Sequence, residues 1–462
     1  MRLTLRPFIL GLIATAALLQ SSCTQTSKQK PVQKEQAVAS NLIRPKDAPS
    51  AASVTSAKHL SDVEAMVHRA VNRHPAVQEA AGRIKEQDEV IAEAKSGYLP
   101  SVGAGLDLGL ESGASRDWGP KFNISATQML YDFGKVSGRV QAESAVHDVR
   151  RAEFLAAVDD IIRETALAAV EIMRNEKLAG VAKEQIDDVQ AIGRLVDART
   201  DSGASTRSDK LQAQARIQAA QATELEISAQ KQRWESTLNA LLGTNGPVQL
   251  RSSFPPKLER ACSGQQPAWE TVPAVLAAKS RKTEAEARVK LARAEMLPTI
   301  ALEASGNFNV WGSDDDPDYV VGIKVKGDLY NGGAFKARQN AAQYAAEASE
   351  AAVAAAKFDI QKTWAESVAQ VSSLSALLNS LGSRQSNMRE TRDLYQKQFL
   401  DLGTRTLLDV LNADQELHSA RLDEINTRFD LYKLSVECAF AAGQLREMFG
   451  LVPQTAKAQT AR

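Results

Sequence analysis

The chain has 462 residues, with 56 Lys and Arg against 56 Asp and Glu, so its formal net charge is zero. Aromatic residues are only 5% of it, apolar residues 44%, and there are three cysteines. Neutrality excludes a nucleic-acid binder built on a basic surplus, and three cysteines exclude a disulfide scaffold. The longest apolar run, Phe8 to Leu19, is too short to cross a bilayer as a helix.

Arg2 and Arg6 precede that run, and the small residues Ser21 and Ser22 follow it before Cys23. A positive start, an apolar stretch and small residues make an export signal over 1–22. The pattern resembles a bacterial lipoprotein signal, cleaved before a cysteine that is then acylated. Gln20 departs from it, because such signals usually carry Leu three places before the cysteine. An ordinary secretory signal with an incidental Cys23 is the other reading, and in both the chain leaves the cytoplasm. Residues 23–60, rich in Gln, Lys, Ser, Thr, Pro and Ala, read as a flexible tether.

A helical pattern over about 62–96 ends at Leu99-Pro100, since a residue before proline avoids the helical region. Two alternating segments follow. From about 100 to 111, Val102, Ala104, Leu106, Leu108 and Leu110 oppose Ser101, Gly103, Gly105, Asp107, Gly109 and Glu111. From about 120 to 130, Phe122, Ile124, Ala126 and Leu130 oppose Lys121, Asn123, Ser125 and Thr127. Period two with one apolar face predicts strands. A long helical stretch over 134–200, a Gly-containing turn and a helix over 206–243 complete this half. A Pro-, Gly- and Ser-rich linker occupies 244–270.

The grammar then repeats. A helix is predicted over 272–296, strands over about 299–311 and 319–329, a long helix over 334–400 and a helix over 406–449, before a tail at 451–462. Gly203, Thr206 and Asp209 recur 200 residues later as Gly403, Thr406 and Asp409. Leu99-Pro100 recurs as Leu297-Pro298, and Tyr131-Asp132-Phe133-Gly134 as Tyr330-Asn331-Gly332-Gly333, at almost the same offset. Such constancy marks a tandem duplication, with units over 61–243 and 271–450.

The strands suit either a soluble sheet over a core or a membrane barrel. Each is about 10 residues long, the span of a tilted transmembrane strand. Aromatics fall at both ends: Trp118, Trp311 and Tyr319 near the hairpin loops, Tyr98, Tyr131 and Tyr330 at the opposite ends. Two such girdles favour the membrane. Four strands cannot close a barrel alone and open edges are not tolerated in lipid, so subunits must pool them. A water-filled pore favours a homotrimer with twelve strands. The long helices, about 100 Å each, must pack along one another or along neighbouring subunits. The predicted fold class is thus an α+β membrane protein: two tandem repeats give four transmembrane strands and long helical hairpins per chain.

At the far ends of the long helices, Gly203 and Gly403 suit a left-handed C-terminal cap. Thr206 and Thr406 read as N-caps, with Asp209 and Asp409 placed to reach back to the turn. Capping alone accounts for both aspartates; a functional role at the tip is the competing reading. The stretch Gly403-Thr404-Arg405-Thr406-Leu407-Leu408-Asp409-Val410-Leu411, with the Tyr131 and Tyr330 entries to the long helices, resembles the TolC-like outer-membrane factor family over about 61–450. That resemblance implies a trimeric outer-membrane barrel continued by a helical periplasmic tunnel. The tips would dock on a periplasmic adaptor protein that links them to an inner-membrane pump. It implies tip-closing roles for Arg405 and Asp409. It places Asn412 where the family has a second aspartate, and Leu400 where it has a gate tyrosine. Asp401 or Asp414 would be substitutes for the missing acid. Gly203, Thr206, Asp209, Gly403, Thr404 and Thr406 would meet the adaptor, six similar tips around a trimer.

The sequence has no Walker loop, His-Glu-x-x-His or Gly-x-Ser-x-Gly elbow. His59, His68, His74, His147 and His418 are scattered and give no ligand pair, so no catalytic residue, cofactor or metal site is read. Asp314-Asp315-Asp316 reads as a solvated acidic hairpin. Cys262 and Cys438 could pair in an oxidising compartment or remain thiols; spacing alone does not fix their geometry. The functional expectation is a passive outer-membrane exit duct for efflux or for type I secretion. Its rival is a soluble periplasmic coiled-coil scaffold.

Overall fold

The computed structural model describes residues 62–110, 118–246, 250, 254–263, 267–309 and 318–451. The expected signal over 1–22, Cys23 and the tether, Trp311, the acids Asp314 to Asp316 and the tail beyond 451 lie outside these residues.

The first repeat opens with α1 (Val63–Arg73) and α2 (Pro75–Ser96), a break within the single helix expected over 62–96. His74 precedes Pro75 and takes an extended ψ of 130°, as a residue before proline should. Strands β1 (Ser101–Leu110) and β2 (Trp118–Tyr131) lead into α3 (Lys135–Asp201), which turns back as α4 (Arg207–Leu242). A short α5 (Pro256–Glu259) and a 3₁₀ turn (Ala261–Ser263) belong to the linker. The second repeat runs α6 (Pro273–Ala294), β3 (Thr299–Asn309), β4 (Asp318–Lys326), α7 (Ala334–Lys397), a π-helical segment (Gln398–Leu402), α8 (Leu407–Ala441) and α9 (Leu445–Met448).

The strand-to-helix entries show why their motif repeats. In the first, Phe133 and Gly134 both take positive φ, 57° and 95°. The Asp132 carboxylate accepts hydrogen bonds from Gly134 N at 2.9 Å and Val136 N at 2.6 Å, satisfying two donors of the helix start. In the second, Gly332 and Gly333 take 65° and 85°, and Asn331 Oδ1 accepts from Phe335 N at 3.3 Å. A side chain at Phe133 pays a conformational cost that glycine avoids at the matching position.

The sheet is antiparallel, in the order β1-β2-β3-β4, so β2 of one repeat pairs with β3 of the other. The register collects every apolar set on one face. Leu106 faces Phe122, which faces Phe308; Val102 faces Ala126, then Ala304, then Val321; Leu302 faces Ile323. The opposite face carries Asp107, Lys121, Asn123, Ser125, Glu303 and Lys324. There Asn123 donates to Asp107 at 2.6 Å, and Lys324 lies 2.8 Å from Glu303. Among the described residues nothing covers the apolar face, where Leu108 is 73% and Ile323 69% exposed. Each such side chain forgoes about 1.5–3 kcal/mol if left in water. Among the described residues, β1 and β4 each have one edge without a partner strand. Tyr98, Tyr131 and Tyr330 are exposed at the helix-facing ends of the strands, and Tyr319 is exposed near the hairpin ends.

The helical core is built on α3. It is 67 residues long, about 100 Å at the usual rise, and packs against α1, α2, α4, α6 and α8. Of its residues 27 are buried, against 3 of 64 in α7. Gly138 lets α6 approach closely: a Cβ there would meet the Leu291 backbone at 3.3 Å. By contrast α7 packs on α6 and α8 and leaves Tyr344, Phe358, Leu377 and Leu394 exposed. No described helix is apolar enough to cross a membrane.

The linker is fastened to the C-terminal part of α8, to α9 and to α3. Cys262 and Cys438 form a disulfide, with their Cα atoms 5.3 Å apart, which joins the 3₁₀ turn to α8. Phe254 stacks on Tyr432 at 4.3 Å between ring centroids. Arg446, buried in α9, pairs with Asp159 of α3 and donates to Thr271 O at 2.7 Å and Leu155 O at 3.2 Å.

Candidate functional site at the helical tips

Both hairpins end in the same construction. Gly203 and Gly403 take φ of 74° and 62°, the left-handed region that ends a helix cheaply only at glycine. The chain then extends through Thr206 or Thr406 into a complete capping box. Asp209 N donates to Thr206 Oγ1 at 3.2 Å while Thr206 N donates to Asp209 Oδ2 at 2.9 Å. The second hairpin repeats this, at 3.2 Å for Asp409 N to Thr406 Oγ1 and 3.1 Å for Thr406 N to Asp409 Oδ2. The threonine backbone amide thereby holds each aspartate below the usual carboxylate range, helped by the threonine hydroxyl. Capping is therefore an observed role of both aspartates.

The remaining tip residues are tied within the second hairpin or across to the first. Arg405 Nε donates to Gln398 Oε1 at 3.1 Å, and its guanidinium sits 4.3 Å from the centre of the Tyr395 ring. Asn412 Oδ1 accepts from Arg216 of α4 at 2.9 Å, linking the two hairpins. Leu400 lies on the surface of the π-helical segment, and Thr404 is exposed beside Gly403. Asp401 is exposed there as well, whereas Asp414 is only 1% exposed and lies inside the bundle.

A small apolar core holds the hairpins together just behind the tips. Val189, Ile192 and Val196 of α3 meet Phe399, Leu407, Val410 and Leu411, and Arg199 covers the Phe399 ring at 5.0 Å. The spacing of Val189, Ile192 and Val196 on one helical face was a legible sign of this contact. Tyr395, Gln398 and Arg216 carried no comparable signal, because their partners lie seven or more residues away.

His418, one of the scattered histidines, stands beside two acids: its Nε2 lies 3.2 Å from Asp188 Oδ2 and 3.6 Å from Asp414 Oδ1. Asp414 is one turn before it on α8, and Asp188 comes from α3, 230 residues away. Arg392 of α7 stands 3.4 Å from Asp188 and 3.9 Å from Asp414. Burial, reinforced by the nearby Asp188 charge, pushes the Asp414 carboxyl up to about 7, and burial lowers the His418 imidazole. Pairing across the repeats, invisible in local spacing, created the cluster.

The matches with known proteins follow the duplication. The family model of the outer membrane efflux protein matches twice, over residues 66–244 and 266–444, one match for each repeat. The chain is 24% identical over 398 residues to outer membrane efflux protein BepC of Brucella suis, covering 82% of this chain and 85% of that protein. It is 24% identical over 436 residues to outer membrane protein TolC of Vibrio cholerae, covering 87% and 93%. The crystal structure of the outer membrane protein VceC of Vibrio cholerae superposes with a TM-score of 0.72 at 19% identity, covering 82% of this chain and 96% of that one. With a matched repeat in each half of the chain, this protein belongs to the outer membrane efflux protein family.

Proposed function

We propose that this protein is the outer-membrane exit duct of a tripartite efflux or type I secretion system, a passive water-filled path closed at its periplasmic helical tips. The observation that carries the reading is the four-stranded sheet, apolar on one continuous face, polar on the other and open at both edges. Lipid covers the first face and water the second, as in a transmembrane barrel. Open edges cannot stand in lipid, so three chains pool their strands into a twelve-stranded homotrimeric barrel. The bare surface of α7 supports the same assembly, since a neighbouring subunit would cover it. Family membership removes the soluble periplasmic scaffold.

Export over residues 1–22, with Cys23 as the acylated residue, delivers the chain to the outer membrane. The duplicated units over 61–243 and 271–450 supply one hairpin each. Gly203, Thr206, Asp209, Gly403, Thr404 and Thr406 then form the surface for a periplasmic adaptor, which connects the duct to an inner-membrane pump. Arg405, Asp409, Asn412 and Leu400 line the closing segment. The tie of Asn412 to Arg216 supports this role, because it links the second hairpin to the first, and the tie of Arg405 to Gln398 holds the turn of the second hairpin itself.

The test is planar-bilayer recording of the detergent-purified protein. The unmodified protein should show small conductance, and Arg405→Ala combined with Asp409→Ala should raise it several-fold. Absence of conductance in both would overturn the gated duct. Equal conductance in the two would remove these residues from the gate.

A further inference from the structure

We propose that Asp188, Asp414 and His418 form a binding site for a borderline divalent transition-metal cation of the Zn²⁺ type, linking α3 of the first repeat to α8 of the second. The three side chains offer one imidazole nitrogen and two carboxylates, with ligand atoms all within 4.8 Å of one another. A tetrahedral ion with bonds of about 2.0–2.1 Å separates its ligand atoms by about 3.3 Å. His418 Nε2 already lies 3.2 Å from Asp188 Oδ2 and 3.6 Å from Asp414 Oδ1.

A buried His-Asp contact would be the plain explanation, and Asp414 argues against its being sufficient. Its side chain is 1% exposed, yet among the described residues neither carboxylate oxygen accepts a hydrogen bond, and His418 Nδ1 is also without one. Buried polar atoms are almost always satisfied, and a carboxylate aimed at a shared point with a histidine is satisfied by a cation. Arg392 stands against the same acids at 3.4 and 3.9 Å, and its Nε faces Asp393 at 2.9 Å. It supplies positive charge to the pair, and it can swing toward Asp393 when an ion arrives. The exchange would replace a tether from α7 with one between α3 and α8.

The donor set selects the ion. Ca²⁺ takes six to eight oxygens and Mg²⁺ keeps most of its water, so neither suits a three-ligand site with an imidazole. Zn²⁺ and Co²⁺ accept mixed nitrogen and oxygen ligands. Asp188, 40% exposed, opens the site to solvent and leaves a fourth position for water.

The experiment uses the full chain in detergent, without a polyhistidine tag and stripped with chelator. Co²⁺ titration followed by visible ligand-field absorption should saturate at one ion per chain, and Zn²⁺ should displace it. Asp188→Asn and Asp414→Asn should each weaken binding by about tenfold or more. Zn²⁺ should raise the thermal midpoint of the unmodified protein but not of Asp188→Asn, since a ligand bound only by the folded state stabilises it. Asp188 is partly exposed, so its variant keeps the test decisive if buried substitutions at Asp414 fail to fold. Absence of saturable binding, or binding unchanged in both variants, overturns the site.

Discussion

The linker disulfide offers the most quantitative test of how this long bundle is held. Cys262 and Cys438 are 176 residues apart in sequence, so the bond closes a loop spanning nearly the whole second repeat. In the chain-entropy account, closing a loop of that length removes about 17 cal/mol/K from the unfolded ensemble, or about 5 kcal/mol at 25 °C. The perturbation is Cys262→Ala with Cys438→Ala, chosen because both sites are buried and serine would leave hydroxyls there. Phe254 would still stack on Tyr432, so the folded linker should keep its place and the loss should fall on stability alone. Urea unfolding of the detergent-solubilised protein, followed by helical circular dichroism, should show a markedly lower midpoint for the variant. Reductant should lower the unmodified protein to the same value. Oxidised and reduced chains should also differ in mobility on a denaturing gel. Coincident midpoints, or identical mobility, would refute the reasoning.

Three further expectations concern caps and buried charge. Thr206→Ala and Thr406→Ala should each cost about 1 kcal/mol, read as faster amide exchange in the first turns of α4 and α8; unchanged exchange would remove the capping role. Asp209 and Asp409 titrate below the ordinary 3.8 when folded. Their caps are therefore fully present above that value and lost as pH falls through the folded one, so protection factors in those turns should drop in acid. Arg446→Met should cost about 3–5 kcal/mol by leaving the Asp159 carboxylate buried and unpaired. Burial pushes that carboxyl up from 3.8 to about 7, even with Arg446 drawing it down. A folded value above the unfolded one means that stability is lost as pH rises through that window. The Arg446→Met deficit should thus be smaller at pH 5 than at pH 8, and adding Asp159→Asn should abolish the difference. Equal deficits at both values would contradict the assignment.

Much of the architecture was readable because it is written in short-range chemistry. Alternation at period two sorted Val102, Leu106, Ile323 and Val325 from Asp107 and Lys324 before any pairing was known, since successive side chains on a strand point to opposite faces. Glycine at 203 and 403, followed three residues later by threonine and three after that by aspartate, specified two turns and two caps, because capping contacts reach only a few residues. The 200-residue repeat of these signals fixed two matching hairpins.

Tertiary structure decided what depends on contacts between distant segments. It paired β2 with β3 across the repeats, joined Cys262 to Cys438, and brought Asp188 to His418 from 230 residues away. It also buried α3 while leaving α7 bare, although both are long, alanine-containing helices that local composition does not distinguish. It withdrew Asp414 from the tip surface and placed Leu400 on a π-helical segment. The physical reason is the same throughout. Periodicity and capping report which way a residue faces on its own element, whereas burial, pairing and ligand geometry depend on which other element arrives at that face. Zero net charge and the lack of a long apolar run in the sequence belonged to the first kind of information; the sheet with one apolar and one polar face belonged to both.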